Sequence, residues 1–181
     1  MSLIILLALF ASILALSFAV FNYITVKRMP EGNEKMREIA GAIRIGANAF
    51  ISYEYKILYL TVAFVAVVLV VLTTWHAAVA LVIGSLMSGL AGLVGMKAAT
   101  YTNVRVTNKA NESRSIGETV KVAYRGGSVM GLSVGGFALL GLFIIYMVFG
   151  VGMGQAAETE ASFTNFIGLH FNPFTMTLSG Y

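Results

Sequence analysis

Cysteine is absent from the 181 residues, and so is aspartate. The first absence excludes a disulfide framework, a thiolate metal site and a cysteine nucleophile. The second excludes a Ser-His-Asp triad, and it removes the carboxylate around which most magnesium and phosphate reaction centres are built. All eight acidic residues are glutamates: Glu31, Glu34, Glu38, Glu54, Glu112, Glu118, Glu158 and Glu160. Histidine occurs only at His76 and His170, too few for a histidine-based metal site. Charged residues make up 11% of the chain, against roughly 25% in soluble domains. In their place stand 58% apolar residues, with a mean hydropathy of +0.84. A soluble domain of this length could not cover so much apolar surface, because its exterior must stay largely polar. A soluble enzyme, a disordered tail and a nucleic-acid-binding module are thereby excluded. The expected partner is the lipid bilayer.

A helix crosses a bilayer with about 20 apolar residues. Leu3 to Val26, Ile57 to Met96, Gly126 to Ala157 and Ala161 to Tyr181 are free of charge. The second run is long enough for two crossings, with its turn at Thr73-Thr74-Trp75-His76, since Trp favours the membrane interface. The expected architecture is an all-α membrane helix bundle in a single membrane domain over 1–181. Its spans lie near 3–26, 57–73, 77–96 and 126–150, with the start of a fifth over 163–181. Span one is a retained anchor, not a signal peptide, because its positive charges follow the apolar run instead of preceding it.

The twelve lysines and arginines fall into two groups. Six lie between spans one and two (27–56) and six between spans three and four (97–125), with none elsewhere. Positive charge stays cytoplasmic, so both segments are expected inside and the N-terminus outside. The net charge of +4 is then a topology signal, with no anionic partner required.

Asn33 can cap a helix whose first turn carries Glu34. Met36, Ile39, Ile43, Ala47 and Phe50 recur at helical spacing, which makes this an amphipathic helix running into span two. Either it continues from Asn33 to Thr73, about 60 Å, or it lies on the membrane surface and breaks near Gly46. The continuous helix is favoured because no proline intervenes. In the second polar segment, Asn103, Asn108, Asn111 and Ser113 to Ser115 point to a turn. Gly84, Ser88 and Gly92 in span three and Gly127, Gly131 and Gly135 in span four lie four apart. Small residues at that spacing let helices approach closely in lipid, so these six are expected to form packing seams.

No catalytic constellation emerges from spacing. Gly126 to Gly131 is glycine-rich but lacks the lysine of a phosphate loop. Glu54, beside Lys56 and Tyr53, Tyr55 and Tyr59, reads as an interfacial belt. His170 reads as an interfacial histidine.

Several longer stretches carry more information. They are Pro30-Glu31-Gly32-Asn33-Glu34-Lys35-Met36-Arg37-Glu38-Ile39, then Ile43 to Phe50, Gly95 to Thr100 and Asn103-Val104-Arg105-Val106, and above all Lys121 to Gly141. In order and spacing the chain resembles the N-terminal part of membrane-bound, ion-translocating inorganic pyrophosphatases. The resemblance implies part of a pump of roughly sixteen helices, helices being a form in which a chain satisfies its backbone within lipid. It implies a homodimer in a prokaryotic cell membrane that hydrolyses magnesium pyrophosphate on the cytoplasmic side and drives protons or sodium outward. It also implies a Mg2+ cofactor and leaves a K+ requirement open. The family's Asp-rich motifs cannot be carried onto a chain without Asp, so no catalytic, cofactor-binding or metal-binding residue is assigned here. These first helices correspond to the family's outer layer, and Tyr181 precedes its first substrate-binding segment. The chain alone is accordingly expected to be inactive. The alternative is a non-catalytic membrane scaffold made of this bundle alone.

Overall fold

The computed structural model describes residues 3–154, 163–164, 170–171 and 173–181. Four long helices dominate: α1 Leu3–Lys27, α2 Glu34–Leu72, α3 Trp75–Ser113 and α4 Ile116–Ile145, which continues as a π-helical stretch over Tyr146–Gly152. Each is long and apolar enough to cross a membrane.

Their ends follow from local chemistry. At the end of α1, Lys27 suits the negative pole of the helix, and Pro30 and Gly32 (φ +86°) then turn the chain. Asn33 caps α2 as expected: its Oδ1 accepts from the Met36 N–H at 2.9 Å. The helix passes Gly46 unbroken and runs for 39 residues, about 58 Å, which settles the choice in favour of the continuous helix. The turn falls at Thr73-Thr74, where Thr74 Oγ1 accepts from the Ala77 N–H and caps α3. The helix α3 runs through Asn103, Asn108 and Asn111 and stops only at Ser113. Arg114 there adopts φ +49°, and Ser115 leads into α4. The turn therefore sits at the far end of the polar stretch expected to hold it. Asn108 spends its amide on Glu112 Oε1 one helical turn on, at 2.9 Å, instead of breaking the helix.

The expected start of a fifth span lies over 163–181, of which 165–169 and 172 are outside the described residues. The pairs Phe163–Thr164 (β1) and His170–Phe171 (β2) lie antiparallel, in register Phe163 to Phe171 and Thr164 to His170. They are followed by the eight-residue α5, Pro173–Gly180. Eight residues rise about 12 Å, less than half the bilayer core. Pro173 accounts for the start of this helix, since its fixed φ and missing N–H suit a first turn. Glu158 and Glu160, and the His170 side chain, lie outside what the structure describes.

The chain divides into two compact units. One comprises Met1–Phe10, Tyr55–Gly89 and Ala138–Tyr181. Its core is Ala80, Ile145 and Phe149, packed by Ile83, Leu178 and Tyr181. Within it the Tyr181 hydroxyl donates to the Ala138 carbonyl at 2.7 Å, and Gly180 lies against the Ala77 backbone. The other unit comprises Ala11–Glu54 and Leu90–Phe137, with Ala19, Ala98 and Val129 at its centre against Tyr23, Val94 and Leu132. The alanines at these centres, Ala80 in the first and Ala19 and Ala98 in the second, let backbones approach, as expected where lipid supplies no hydrophobic drive. Large apolar side chains face outward instead: Ile4, Leu60 and Phe64 are each at least 70% exposed. Among the residues of α2 only Ala40 is buried. A bilayer is the solvent that such a surface requires.

Candidate functional site

The densest polar chemistry among the described residues lies in the second unit, where α1, the 28–33 turn, α2 and α3 meet. Arg105 on α3 is buried, 5% exposed, and its guanidinium is spent on backbone. Nε donates to Met29 O at 3.0 Å, Nη2 to Lys27 O at 2.8 Å and Nη1 to Tyr101 O at 2.7 Å. Two of these acceptors belong to the end of α1 and the residues after it, carbonyls that the helix leaves without partners. Asn108, one turn further along α3, reaches Pro30 O at 3.4 Å.

Glu31 closes the arrangement. Its Oε1 takes Arg44 Nη2 from α2 at 2.5 Å and Arg105 Nη2 at 3.1 Å. The hydrogen bond from Arg44 holds the Glu31 carboxyl below its usual pKa. Partial burial opposes this, and the charges of Arg44 and Arg105 add to the lowering. Tyr101 supplies an aromatic wall. The Arg44 guanidinium lies 4.3 Å from its ring centre, Lys27 Nζ 5.4 Å, and the Tyr23 ring meets it edge-on. The result is a clamp: one carboxylate, two guanidiniums and an aromatic ring fix the polar ends of three helices.

What this cluster can do chemically is limited. Both guanidiniums that reach Glu31 are engaged, and Glu31 Oε1 is shared between them. Among the described residues no three His, Cys, Asp or Glu groups converge on a point that could hold a metal. The donor set therefore does not fit magnesium, which needs carboxylate oxygens free to bind it.

The six small residues expected to form seams differ in their own surroundings. Gly84 packs closely, its α-carbon facing the Tyr181 carbonyl and ring. Ser88 is exposed and Gly92 half-buried. Gly127, Gly131 and Gly135 are exposed, with nothing within 4 Å of where a Cβ would stand. The glycines of α4 that do pack are Gly126 against Thr102, Gly136 against Leu16 and Gly141 against Tyr181. Sequence reasoning also passed over Arg105 and Glu31. The available signal was an arginine between two valines, Val104-Arg105-Val106, where a solvated helix face would be polar.

Four membrane-length helices with a buried basic clamp at their polar ends define a polytopic α-helical membrane protein. The sequence pattern of the family described as inorganic H+ pyrophosphatase matches residues 13–179. The K(+)-stimulated pyrophosphate-energized sodium pump of Thermotoga maritima is 50% identical over 93% of this chain. A K(+)-insensitive pyrophosphate-energized proton pump of Methanosarcina mazei is 34% identical over 84% of it. Another proton pump, from Moorella thermoacetica, is 36% identical over 86%. The chain belongs to the inorganic H+ pyrophosphatase family, the pyrophosphate-energised sodium and proton pumps. It spans about a quarter of the length of these relatives, 23% of the Thermotoga pump.

Proposed function

We propose that this chain is the N-terminal, outer-helix portion of a homodimeric pump that couples hydrolysis of magnesium pyrophosphate to outward ion transport across a prokaryotic cell membrane. The observation carrying this reading is the 50% identity to the Thermotoga maritima sodium pump over nearly the whole chain. The same relative favours sodium as the transported ion and K+ as a stimulant. The role of these residues in the pump is structural. Their long helices present apolar side chains to lipid, and the Arg105–Glu31–Arg44 clamp sets the geometry of their polar ends. Hydrolysis then falls to residues beyond this chain, where aspartates can hold magnesium. The six-and-six partition of Lys and Arg supports a cytoplasmic position for both basic segments, with the N-terminus outside.

The full-length polypeptide carrying these residues, placed in sealed vesicles, is expected to hydrolyse pyrophosphate only with Mg2+ and to accumulate sodium as it does so. Purified residues 1–181 are expected to hydrolyse none. Turnover by the short chain would refute the placement of the reaction centre, and a full-length protein silent towards pyrophosphate would refute the function.

A further inference from the structure

The face of α4 at the start of its apolar run takes no part in the clamp. Two hollows meet there, both within the second unit, and both are lined by Lys121 and Arg125. The first, about 330 Å³, reaches Arg105, Lys109, Glu112 and Glu118. The second, about 620 Å³, runs along Asn22, Tyr124, Ser128 and Leu132. Lys121, Arg125, Ser128 and Leu132 follow one another at spacings of four, three and four, so they form a single row down one face of the helix. Arg125 is the last charged residue before the uncharged run that begins at Gly126. The row thus passes from two cations, through a hydroxyl, to an aliphatic side chain where the helix enters the apolar layer.

The charges are arranged to accept an anion. Arg105 is spent on Glu31 and on backbone carbonyls, so the first hollow offers three cationic side chains, Lys109, Lys121 and Arg125, against two acidic ones, a surplus of one. Both acids are engaged, Glu112 by Asn108 at 2.9 Å and Glu118 by Lys121 at 2.8 Å. Arg125 is exposed, and its guanidinium makes no hydrogen bond or ion pair among the described residues. The Lys121–Glu118 pair is exposed on both sides, 76% and 47%. Such pairs contribute little, so the ammonium can turn to a phosphate at small cost. Basic recesses between helices at the membrane boundary suit anionic headgroups.

We propose that this face of α4 binds an anionic phospholipid, its phosphate held by Lys121 and Arg125 and one acyl chain laid along Tyr124, Ser128 and Leu132. A free phosphate would occupy the cationic end but gain nothing from the apolar groove. A zwitterionic lipid would fill the groove but carry no net charge to meet the surplus.

Native mass spectrometry of the detergent-purified, full-length polypeptide tests this with phosphatidylglycerol, phosphatidylethanolamine and water-soluble glycerol 3-phosphate as probes. Phosphatidylglycerol is expected to be retained at least about tenfold more tightly than phosphatidylethanolamine. Lys121→Gln with Arg125→Gln should erase that preference, and each single change should remove part of it. The swap Lys121→Arg with Arg125→Lys should keep it. Both side chains are exposed, so neutralising them removes no packing, and unchanged helical circular dichroism checks this. Equal retention of the two lipids by the unaltered protein overturns the proposal, as does an undiminished preference in the double variant. Displacement of the lipid by glycerol 3-phosphate at comparable concentration would assign the cations to a soluble phosphate and overturn the lipid assignment.

Discussion

At the scale of single residues, Glu31 joins the most structure with the fewest atoms. Its carboxylate is held by Arg44 and Arg105 and is 23% exposed, shielded enough for the pairing to matter. Removing it would leave Arg105, buried among carbonyls, without its counter-charge, and an uncompensated buried charge is costly. Protonation should act in the same direction. The folded-state pKa lies below the ordinary value of 4.5, so the unfolded chain takes up the proton first as pH falls. The stabilisation is therefore complete above about pH 5 and is lost as pH falls through the lowered folded value. Glu31→Gln is expected to unfold more easily than the natural protein at pH 7, with the gap narrowing towards pH 3. Denaturant titrations in detergent at both pH values measure this, and a gap that does not narrow would assign the loss to shape instead of charge. The sequence showed Glu31 as one of eight glutamates and as part of the Pro30–Ile39 stretch but gave it no role, because its importance comes from Arg44 and Arg105, 13 and 74 positions away.

At the scale of elements, helix ends were legible and helix faces were not. Asn33 before Glu34, Thr73-Thr74 before Trp75 and the serines around Arg114 each stop or start a helix by hydrogen bonding their own backbone, so local sequence suffices. Pro173 is an equally local signal, standing at the first position of α5. Faces are different. Gly126 and Gly127 are neighbours in sequence but point about 100° apart on a helix. Spacing identified a stripe at Gly127, Gly131 and Gly135, yet it could not say which stripe meets α3. The structure puts Gly126 there, where a Cβ would run into the Thr102 side chain. Gly126→Val is accordingly expected to destabilise residues 1–181 by roughly 1–3 kcal/mol, the usual cost of overpacking. Gly131→Val meets open space and should change little in the same chain. If the outward stripe is a seam for helices beyond this chain, Gly131→Val will impair assembly of the full-length polypeptide alone. Thermal unfolding of both variants in both lengths reads these outcomes separately, and equal destabilisation of the short chain by the two would refute this account of the packing.

At the scale of the whole molecule, the scarcity of charge made the membrane readable and the resemblance of the longer motifs, above all Lys121 to Gly141, made the family readable, while orientation rests on the grouping of cations alone. Positive segments are retained on the cytoplasmic side because moving Lys and Arg across the apolar core is costly, and the bias acts over short loops such as those here. The orientation proposed from that grouping puts Ser113, at the end of α3, inside and Glu158, beyond the uncharged run that begins at Gly126, outside. These 181 residues contain no cysteine, so once any cysteine elsewhere in the full-length polypeptide is replaced, a single introduced thiol is the only group that a maleimide can label. Ser113→Cys and Glu158→Cys in the full-length polypeptide are expected to label from opposite faces of sealed, right-side-out vesicles, with Glu158→Cys reacting with an impermeant reagent and Ser113→Cys only after permeabilisation. The reverse pattern would turn the protein over and place the Lys121–Arg125 row on the outer leaflet. Labelling of both from one side would mean that the chain between them does not cross the membrane at all, a result that the uncharged length from Gly126 to Ala157 argues against.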